Sequence, residues 1–337
     1  MSVNKPTEYR TAESVSPGHP DKICDQISDA ILDAHLGEDK NARVAVDVAG
    51  GHGTVFVTGE VTSKAKKVDI PAIVQRLAGD VTLIENIALQ SPEIAAGVDT
   101  GGAGDQGVMV GYATRETPEL LPLEVVLARS LNQYLYERWP HDGKTQVTIR
   151  DGEITSIVAS FQYASRDKLE EAVKEWGRTQ QYNASGALFV KYRNSNPTLH
   201  INPAGDWDIG GFDADAGLTG RKLAVDNYGP RIPVGGGAFS GKDPSKVDRS
   251  AAYIARKIAV DYLRQRPNAN EVFVRLAYAI GLVEPLETTV VVDGVPEEVV
   301  GYDLTPNGII KWLNLRRPQY EQTARYGHFG HGFDWEK

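Results

Sequence analysis

Residues 235–250 read GGGAFSGKDPSKVDRS, and a pattern of apolar residues at helical spacing continues from Val247. Three consecutive glycines let the backbone approach a ligand closely and turn N–H groups towards it, because no Cβ stands in the way. Ser245 and Asp248 have the spacing of a capping box, which marks the start of a helix. The stretch therefore predicts an anion-binding loop directly before a long helix.

The charges of this stretch refine the prediction. Lys242 and Lys246 add two cations beside a helix start that itself favours anions. Asp248 fits among them if a divalent metal bridges it to a polyanion, which predicts a site for a metal-bound polyphosphate. Two other interpretations stay open: a purely structural glycine turn, and a nucleotide-binding P-loop. Residues 236–242 fit G-x-x-x-x-G-K, but Asp243 replaces the usual Ser or Thr.

The composition is that of a globular protein. The 337 residues, 41% of them hydrophobic and 24% charged, are enough for two or three domains with a large core. A net charge of −9 argues against general binding to nucleic acid or to an anionic membrane. The single cysteine excludes an internal disulfide and indicates a reducing compartment. Without a signal-peptide core or a long apolar run, the chain is predicted to be cytoplasmic.

A strand–strand–helix pattern recurs three times at a spacing of roughly 100 residues, which suits three similar α+β domains. Each sheet would be covered by helices on one face only, so its open face could bind a second copy of the chain. The strands are expected at residues 43–48, 54–61, 147–149, 154–161, 272–280 and 288–292. The helices are expected from about Asp69, near Arg166 and near Thr305.

Further charged residues lie near glycines or helix starts. Pro20 suits the first position of a helix, which places His19 and Asp21 at its start; the alternative is an ordinary capped helix with a solvated end. Arg can hold a phosphate bidentately and Lys supplies a point charge. Jointly these residues suit a triphosphate with magnesium. The set comprises Lys144, Arg221, Lys222, Lys242 and Lys246 with the carboxylates Asp21 and Asp248.

Four long motifs appear in the order typical of S-adenosylmethionine synthetases. They are GHPDK (18–22), GAGDQG (102–107), DAGLTGRK (215–222) and GGGAFSGKDPSKVDRS (235–250). The chain resembles this family from about Thr11 to Lys337, including YAIG (278–281) and RYGHFG (325–330). The resemblance implies three similar α+β domains of antiparallel or mixed sheet in a pseudo-threefold arrangement. It also implies a homodimer with active sites at the interface, with a tetramer as a further option.

The resemblance implies a methionine adenosyltransferase that converts ATP, methionine and water into S-adenosylmethionine, phosphate and diphosphate. Predicted domain boundaries are residues 1–98, 99–213 and 214–337, with strands exchanged between domains. Two alternatives stay open: a P-loop-like ATPase or kinase, which would leave ADP, and a non-catalytic regulatory paralogue that binds ATP or methionine.

The resemblance also implies roles for individual residues. His19, Lys144, Arg221, Lys222 and Lys242 would act in catalysis. ATP would be bound by these five together with Asp142, Trp207, Asp215, Ala238 and Lys246. Methionine would be bound by Glu60, Gln90, Asp215 and Lys246. Magnesium would be bound by Asp21 and Asp248, and potassium by Asp47, with Glu13 and Asp105 as supporting acids.

The sequence departs from the family pattern at several places. Asp47 stands where a Glu usually holds potassium, and this shorter carboxylate is expected to weaken that site. Trp207 replaces a Phe, which should preserve stacking. The chain is short before Ile87 and at residues 97–102, where the family has a loop over the active site. We therefore expect a compact enzyme with a reduced or absent lid.

Overall fold

The computed structural model describes residues 8–90, 101–179 and 196–337. The strands in these ranges are β1 (Tyr9–Val15), β2 (Arg43–Gly51), β3 (Thr54–Thr62), β4 (Thr82–Ala88), β5 (Gly107–Thr114), β6 (Gly143–Arg150), β7 (Glu153–Phe161), β8 (Thr198–Ile201), β9 (Gly217–Leu218), β10 (Glu271–Tyr278), β11 (Glu287–Val292) and β12 (Val295–Glu297). The helices are α1 (Pro20–Glu38), α2 (Ile70–Ala78), α3 (Leu123–Tyr136), α4 (Arg166–Thr179), α5 (Leu223–Asp226), α6 (Val247–Gln265), α7 (Pro306–Trp312) and α8 (Thr323–Tyr326). Short 3-10 helices cover Gly211–Asp213 and Asp334–Glu336.

The described strands form three sheets of four strands each, which confirms the α+β class. The first sheet has the order β4-β3-β2-β9, the second β1-β6-β7-β8 and the third β12-β11-β10-β5. Antiparallel hairpins form their centres, and β4 and β8 add in parallel. Each sheet also takes one strand from a distant part of the chain: β9 joins the first, β1 the second and β5 the third. This cyclic exchange ties the three units together.

Each sheet is covered by a long helix on one face. Helix α1 packs on β2, α3 on β1 and β6, and α6 on β5 and β10. Side chains alternate along a strand, so Val44, Val46 and Val48 of β2 are buried beneath α1. Ala45 and Asp47 of the same strand point to the opposite face. That open face of the first sheet carries several of the predicted site residues.

The buried side chains form two cores. The first and third sheets share one core with α1 and α6, and the second sheet has its own core with α3 and α4. Glycine is required where β5 crosses α6, because a Cβ on Gly111 would lie 2.1 Å from the backbone carbonyl of Ala255. Since β5 is an exchanged strand, this contact helps join the predicted second and third units.

Several helix starts agree with the sequence. Helix α1 begins at Pro20 with His19 as its N-cap, and Asp69 and Thr305 cap α2 and α7. The capping box at Ser245 was wrong. Helix α6 has Lys246 at its N-cap position, and a lysine side chain has no acceptor with which to cap the helix. The Ser245 hydroxyl has no hydrogen-bond partner among the described residues, and the Asp248 carboxylate accepts from the Gly237 amide.

The P-loop alternative does not match the structure. A P-loop connects a strand to a helix through its glycines, and its lysine lies at the helix start. Here no strand directly precedes Gly235, within the described residues, and α6 begins only at Val247. Lys242 instead bridges to Ala45 on the edge of the first sheet. The glycine loop is therefore positioned by a sheet edge.

Candidate active site

Two glycine-rich loops, residues 215–222 and 235–246, lie side by side along one edge of β2. A Cβ on Gly220 of the first loop would lie 2.3 Å from the Cβ of Ala238 in the second, so the loops are in direct contact. Two of the backbone hydrogen bonds that fix them are Val46 N–H to Gly241 O at 3.1 Å and Thr219 N–H to Val48 O at 2.9 Å. The motifs that lie far apart in the sequence thus form one continuous surface.

The first arm of the site joins the start of α1 to the first loop. The buried carboxylate of Asp21 accepts a hydrogen bond from the Leu218 amide at 2.9 Å and forms an ion pair with Lys222. Arg221 lies 3.6 Å from the same carboxylate through its Nε. Burial works against the charge, but the hydrogen bonds from Lys222 and Leu218 outweigh it and lower the pKa of Asp21. Asp21 is therefore an ionised carboxylate at neutral pH.

His19 lies at the tip of this arm. Its Nδ1 accepts a hydrogen bond from the Asp21 amide at 3.2 Å. Burial and the nearby positive charge of Lys222 lower the pKa of His19 to about 4, so the ring is neutral at neutral pH. Since Nδ1 is an acceptor, we assign the single ring proton to Nε2. His19 can thus donate one hydrogen bond to a ligand through Nε2.

The second arm lies in the second loop and the first turn of α6. The Asp248 carboxylate accepts a hydrogen bond from the Gly237 amide at 2.8 Å and pairs with Lys242 at 2.7 Å. Lys246 pairs with the buried Asp243. Each of the two predicted magnesium ligands is thus paired with a lysine predicted to bind phosphate. The amide of Gly237, expected to face a ligand, is taken by Asp248.

A third group comes from the second sheet. Lys144 on β6 pairs with Glu13 on β1 at 2.6 Å, and both side chains are partly exposed. Asp142 accepts a hydrogen bond from the Gly211 amide at 2.9 Å, and burial raises the pKa of its carboxyl group. The positive charge of Lys144 also acts on His19, so this group adjoins the first arm.

Of the predicted methionine ligands, Glu60 lies on the open face of the first sheet and Gln90 lies just beyond its strand β4. Lateral pairing places Ala88, Glu60, Ala45 and Lys242 in one row across the sheet. Glu60 is exposed on this row, and Gln90 follows β4 by two residues. The Gln90 Oε1 is buried and has no hydrogen-bond partner among the described residues. An acid and an unsatisfied amide oxygen therefore lie on the same sheet as Lys242.

Among the described residues, four further predicted side chains form no ion pair or hydrogen bond with Asp21, Asp248 or their paired lysines. The carboxylates of Asp105 and Asp215 each accept a hydrogen bond from the amide of the following residue. Trp207 is half-buried and packs against Gly210. Asp47 lies on the open face of β2, where the positive charge of Lys242 reaches it. Among the described residues no three His, Cys, Asp or Glu side chains converge as a metal site.

Comparisons with known proteins match this arrangement. Models of the S-adenosylmethionine synthetase N-terminal, central and C-terminal domains match residues 7–97, 100–207 and 209–337. The chain belongs to the S-adenosylmethionine synthetase family. An S-adenosylmethionine synthase of Clostridium tetani is 42% identical over 373 positions, covering 95% of this chain and 93% of the relative. Another from Brachyspira hyodysenteriae is 41% identical, covering 98% and 95% of the two chains.

Within this family member, sequence reasoning missed a second layer of buried charges behind both arms. Asp29 of α1 accepts a hydrogen bond from the Gly241 amide at 2.8 Å and pairs with Arg249 at 2.6 Å. Lys22 and Asp25 of the same helix lie behind the first loop. The signal was present, since residues 22, 25 and 29 recur on one face of a helix that is otherwise apolar and buried.

None of the helices in the described ranges is long and apolar enough to span a lipid bilayer.

Proposed function

We propose that this chain is a methionine adenosyltransferase. The methionine sulfur attacks C5′ of ATP, the C5′–O5′ bond breaks, and the electron pair leaves with the triphosphate. Water then hydrolyses the triphosphate to phosphate and diphosphate. The observation that carries this proposal is the pair of arms along β2, each with a carboxylate held against a lysine. Such a site can bind a long polyanion from both ends.

Displacement at a primary carbon needs alignment and stabilisation of the leaving group, and it needs no nucleophile from the protein. The Nε2–H of His19 is suited to donate to the leaving oxygen, because the neutral ring has its other nitrogen occupied. The phosphates would be held by Lys144, Arg221, Lys222, Lys242 and Lys246. Because a carboxylate already holds each of these cations, little reorganisation is needed as charge develops on the triphosphate.

The carboxylates fit magnesium. Magnesium is usually bound by one or two carboxylates together with substrate phosphates. Asp21 and Asp248 are two such carboxylates, and the described residues contain no three-ligand metal cluster. A metal that arrives with the polyphosphate matches this donor set. When bound, magnesium would neutralise part of the phosphate charge.

Potassium fits less well. Asp47 is one carboxylate on an open sheet face, and the positive charge of Lys242 lies near it. Within the described part of the chain it belongs to no group of three His, Cys, Asp or Glu side chains that could hold a metal. We derive no step through potassium.

Methionine and adenine would lie beside the arms. Glu60 and Gln90 on the first sheet would bind methionine together with Asp215 and Lys246, a carboxylate being suited to the substrate amino group. Trp207 would stack on the substrate while Asp142 and Ala238 line the nucleotide site. Glu13 and Asp105 remain supporting acids, and Glu13 does so here through its ion pair with Lys144.

We further propose a homodimer formed through open sheet faces. Ile84 on β4 is 49% exposed and Leu218 on β9 is 42% exposed, which favours a partner on the first sheet. Of the shortened loop predicted at residues 97–102, residues 97–100 lie outside the described residues. The alignment with the C. tetani relative has more positions than this chain has residues, which supports a compact enzyme.

Product analysis tests the proposal. Purified protein is incubated with ATP, methionine and magnesium, and the nucleoside and phosphate products are separated by chromatography. We expect S-adenosylmethionine, phosphate and diphosphate in equal amounts without ADP. ADP without S-adenosylmethionine would contradict the proposal in favour of an ATPase or kinase. Binding of ATP or methionine without turnover would contradict it in favour of a regulatory paralogue.

A further inference from the structure

A buried charged trio lies behind the first arm. Lys22 Nζ is 2.7 and 2.8 Å from the two carboxylate oxygens of Asp226 and 3.1 Å from Asp25 Oδ2. All three side chains are buried. Buried ion pairs are weak contributors to stability, since well-packed apolar residues of similar volume often serve as well or better. The trio therefore calls for a role beyond holding the core together.

The first turns of α1 hold the loop that carries Arg221 and Lys222 at three successive points. Asp25 accepts a hydrogen bond from the Gly220 amide at 2.8 Å, directly before Arg221. Lys22 holds the carboxylate of Asp226, four residues after Lys222. The third point is the bond from the Leu218 amide to Asp21 at 2.9 Å. The trio thus fixes the backbone on both sides of Arg221 and Lys222, at Gly220 before them and at Asp226 after them.

The local backbone transmits this constraint to Lys222. Asp226 donates its amide to Lys222 O at 2.9 Å within the single turn of α5, so the two residues move together. Gly220 has a φ of +78°, a left-handed conformation that the Asp25 hydrogen bond holds in place. From behind, the His328 amide donates to Asp226 O at 3.0 Å. The RYGHFG motif thereby supports the same arm.

We propose that Lys22, Asp25 and Asp226 are positioning residues that aim Arg221 and Lys222 at the leaving triphosphate. The inference rests on the proposed phosphate-binding role of Arg221 and Lys222. Charge on the leaving group rises between bound ATP and the transition state, so misaimed cations should reduce the rate more than they reduce substrate binding. A displacement of about 1 Å can cost about 100-fold in rate.

The test compares Asp25→Ala with Asp25→Asn in the full chain. For Asp25→Ala we expect kcat to fall by about 10- to 100-fold, with the KM for methionine changed by less than about 3-fold. Asp25→Asn keeps an oxygen that accepts from Gly220 N–H but turns an NH2 group towards Lys22 Nζ, so it should recover part of the loss. Val173→Ala in the separate core of the second sheet is the matched control, since it lowers stability without touching this network. Rates are normalised to the folded fraction.

Calorimetry of inorganic tripolyphosphate binding in the presence of magnesium distinguishes the positioning role of the trio from the phosphate-binding role of Arg221 and Lys222. Asp25→Ala with the same kcat as Val173→Ala would overturn the positioning role. Unchanged tripolyphosphate affinity in Arg221→Ala and Lys222→Ala would instead overturn the proposed phosphate role. If Arg221→Ala and Lys222→Ala lose affinity for tripolyphosphate while Asp25→Ala keeps a normal kcat, the phosphate role stands and the positioning role of the trio is overturned.

Discussion

At the scale of single residues, the site consists of cations that are fixed before any substrate arrives. Lys222 is held by Asp21 and Lys242 by Asp248. Each of these carboxylates also accepts a backbone amide, from Leu218 or from Gly237. A charged hydrogen bond to a buried carboxylate restricts a lysine that would otherwise sample many rotamers. The arms are therefore ordered without substrate.

Lys242→Met should lower kcat by about 100- to 1,000-fold, the range found when one preorganised transition-state contact is removed. The variant keeps the length of the side chain, so the loop around Gly241 should fold normally. Steady-state kinetics with varied ATP checks this outcome. Lys174→Met on α4 is the matched control, because Lys174 is exposed and its one ion pair among the described residues is with Glu170, four residues away. Equal activity in both variants would contradict a role for Lys242.

The pH dependence of stability should report on His331. Burial and the positive charge of Arg129 lower the pKa of His331 to about 4, from an ordinary value near 6.5. The unfolded chain therefore binds this proton more readily, and the associated stability, present above about pH 6.5, is lost as the pH falls towards 4. The loss would be at most about 3 kcal/mol.

Chemical denaturation of wild type and His331→Gln between pH 7 and 4 measures this effect. The variant should lose less stability over that range than the wild type, whatever its stability at pH 7. His200→Gln on the exposed side of β8 is the control and should follow the wild type. Identical pH profiles for wild type and His331→Gln would show that His331 contributes nothing to the acid sensitivity.

At the scale of elements, the exchanged strands depend on close backbone contacts. Gly111→Ala should destabilise the protein by about 1–3 kcal/mol or more, because its Cβ would overlap the α6 backbone at Ala255. Gly37→Ala within α1 is the matched control, and its expected effect on the free energy of unfolding has the opposite sign. Its nearest neighbour, Pro318, is 3.7 Å away, so better helix propensity should stabilise by about 0.5–1 kcal/mol. Urea denaturation of both variants checks the pair, and equal effects would contradict the packing account.

Local sequence patterns predicted most of the central strands and the main helices, but few of the distant strands that pair with those central strands. The alternating residues of β2 and β3 and the proline-marked starts of α1 and α7 carry their own signal, because propensity and capping act within a few residues. The exchanged strands β1 and β9 have little local sequence signal, since β9 is two residues long and β1 follows a polar lead-in. Their pairing depends on contacts across more than 100 residues, which no local pattern contains.

The residues of the candidate site could be predicted from local sequence, but the contacts between them could not. Lys222, Lys242, Asp21 and Asp248 were marked by their places near glycines or predicted helix starts, which jointly suit a polyanion with magnesium. The actual pairing of each carboxylate with its lysine could not be predicted, since it depends on how both loops lie along β2. Likewise Ser245 and Asp248 had the right spacing for a cap. Tertiary contacts to Gly237 and Lys242 overrode it.

At the scale of the whole molecule, the C-terminal segment closes the structure behind both arms. The His328 ring lies 4.6 Å from that of Phe239 in the second glycine loop, and its amide bonds to Asp226 behind the first. The Glu336 carboxylate accepts hydrogen bonds from Arg256 and from the amide of Gly330, which fixes the end of the chain on α6. The last residues thus support the site from the core side.

Assembly should depend on the open face of the first sheet. Ile84→Glu places a charge on that face and should convert the proposed dimer to a monomer at micromolar concentration. Sedimentation velocity measures the change. Val295→Glu at a third-sheet hairpin is the matched control, since Val295 is 61% exposed and should leave the assembly unchanged. A dimer that persists in Ile84→Glu would place the interface elsewhere.

The central claim is that the C5′–O5′ bond of ATP breaks while the phosphates leave as one unit. The most direct measurement uses ATP carrying ¹⁸O in the bridging 5′ position, with methionine and magnesium, and mass spectrometry of all products. We expect the label entirely in the phosphate products and none in the nucleoside product. Label retained on the nucleoside, with ADP formed, would mean attack at phosphorus and would contradict the account.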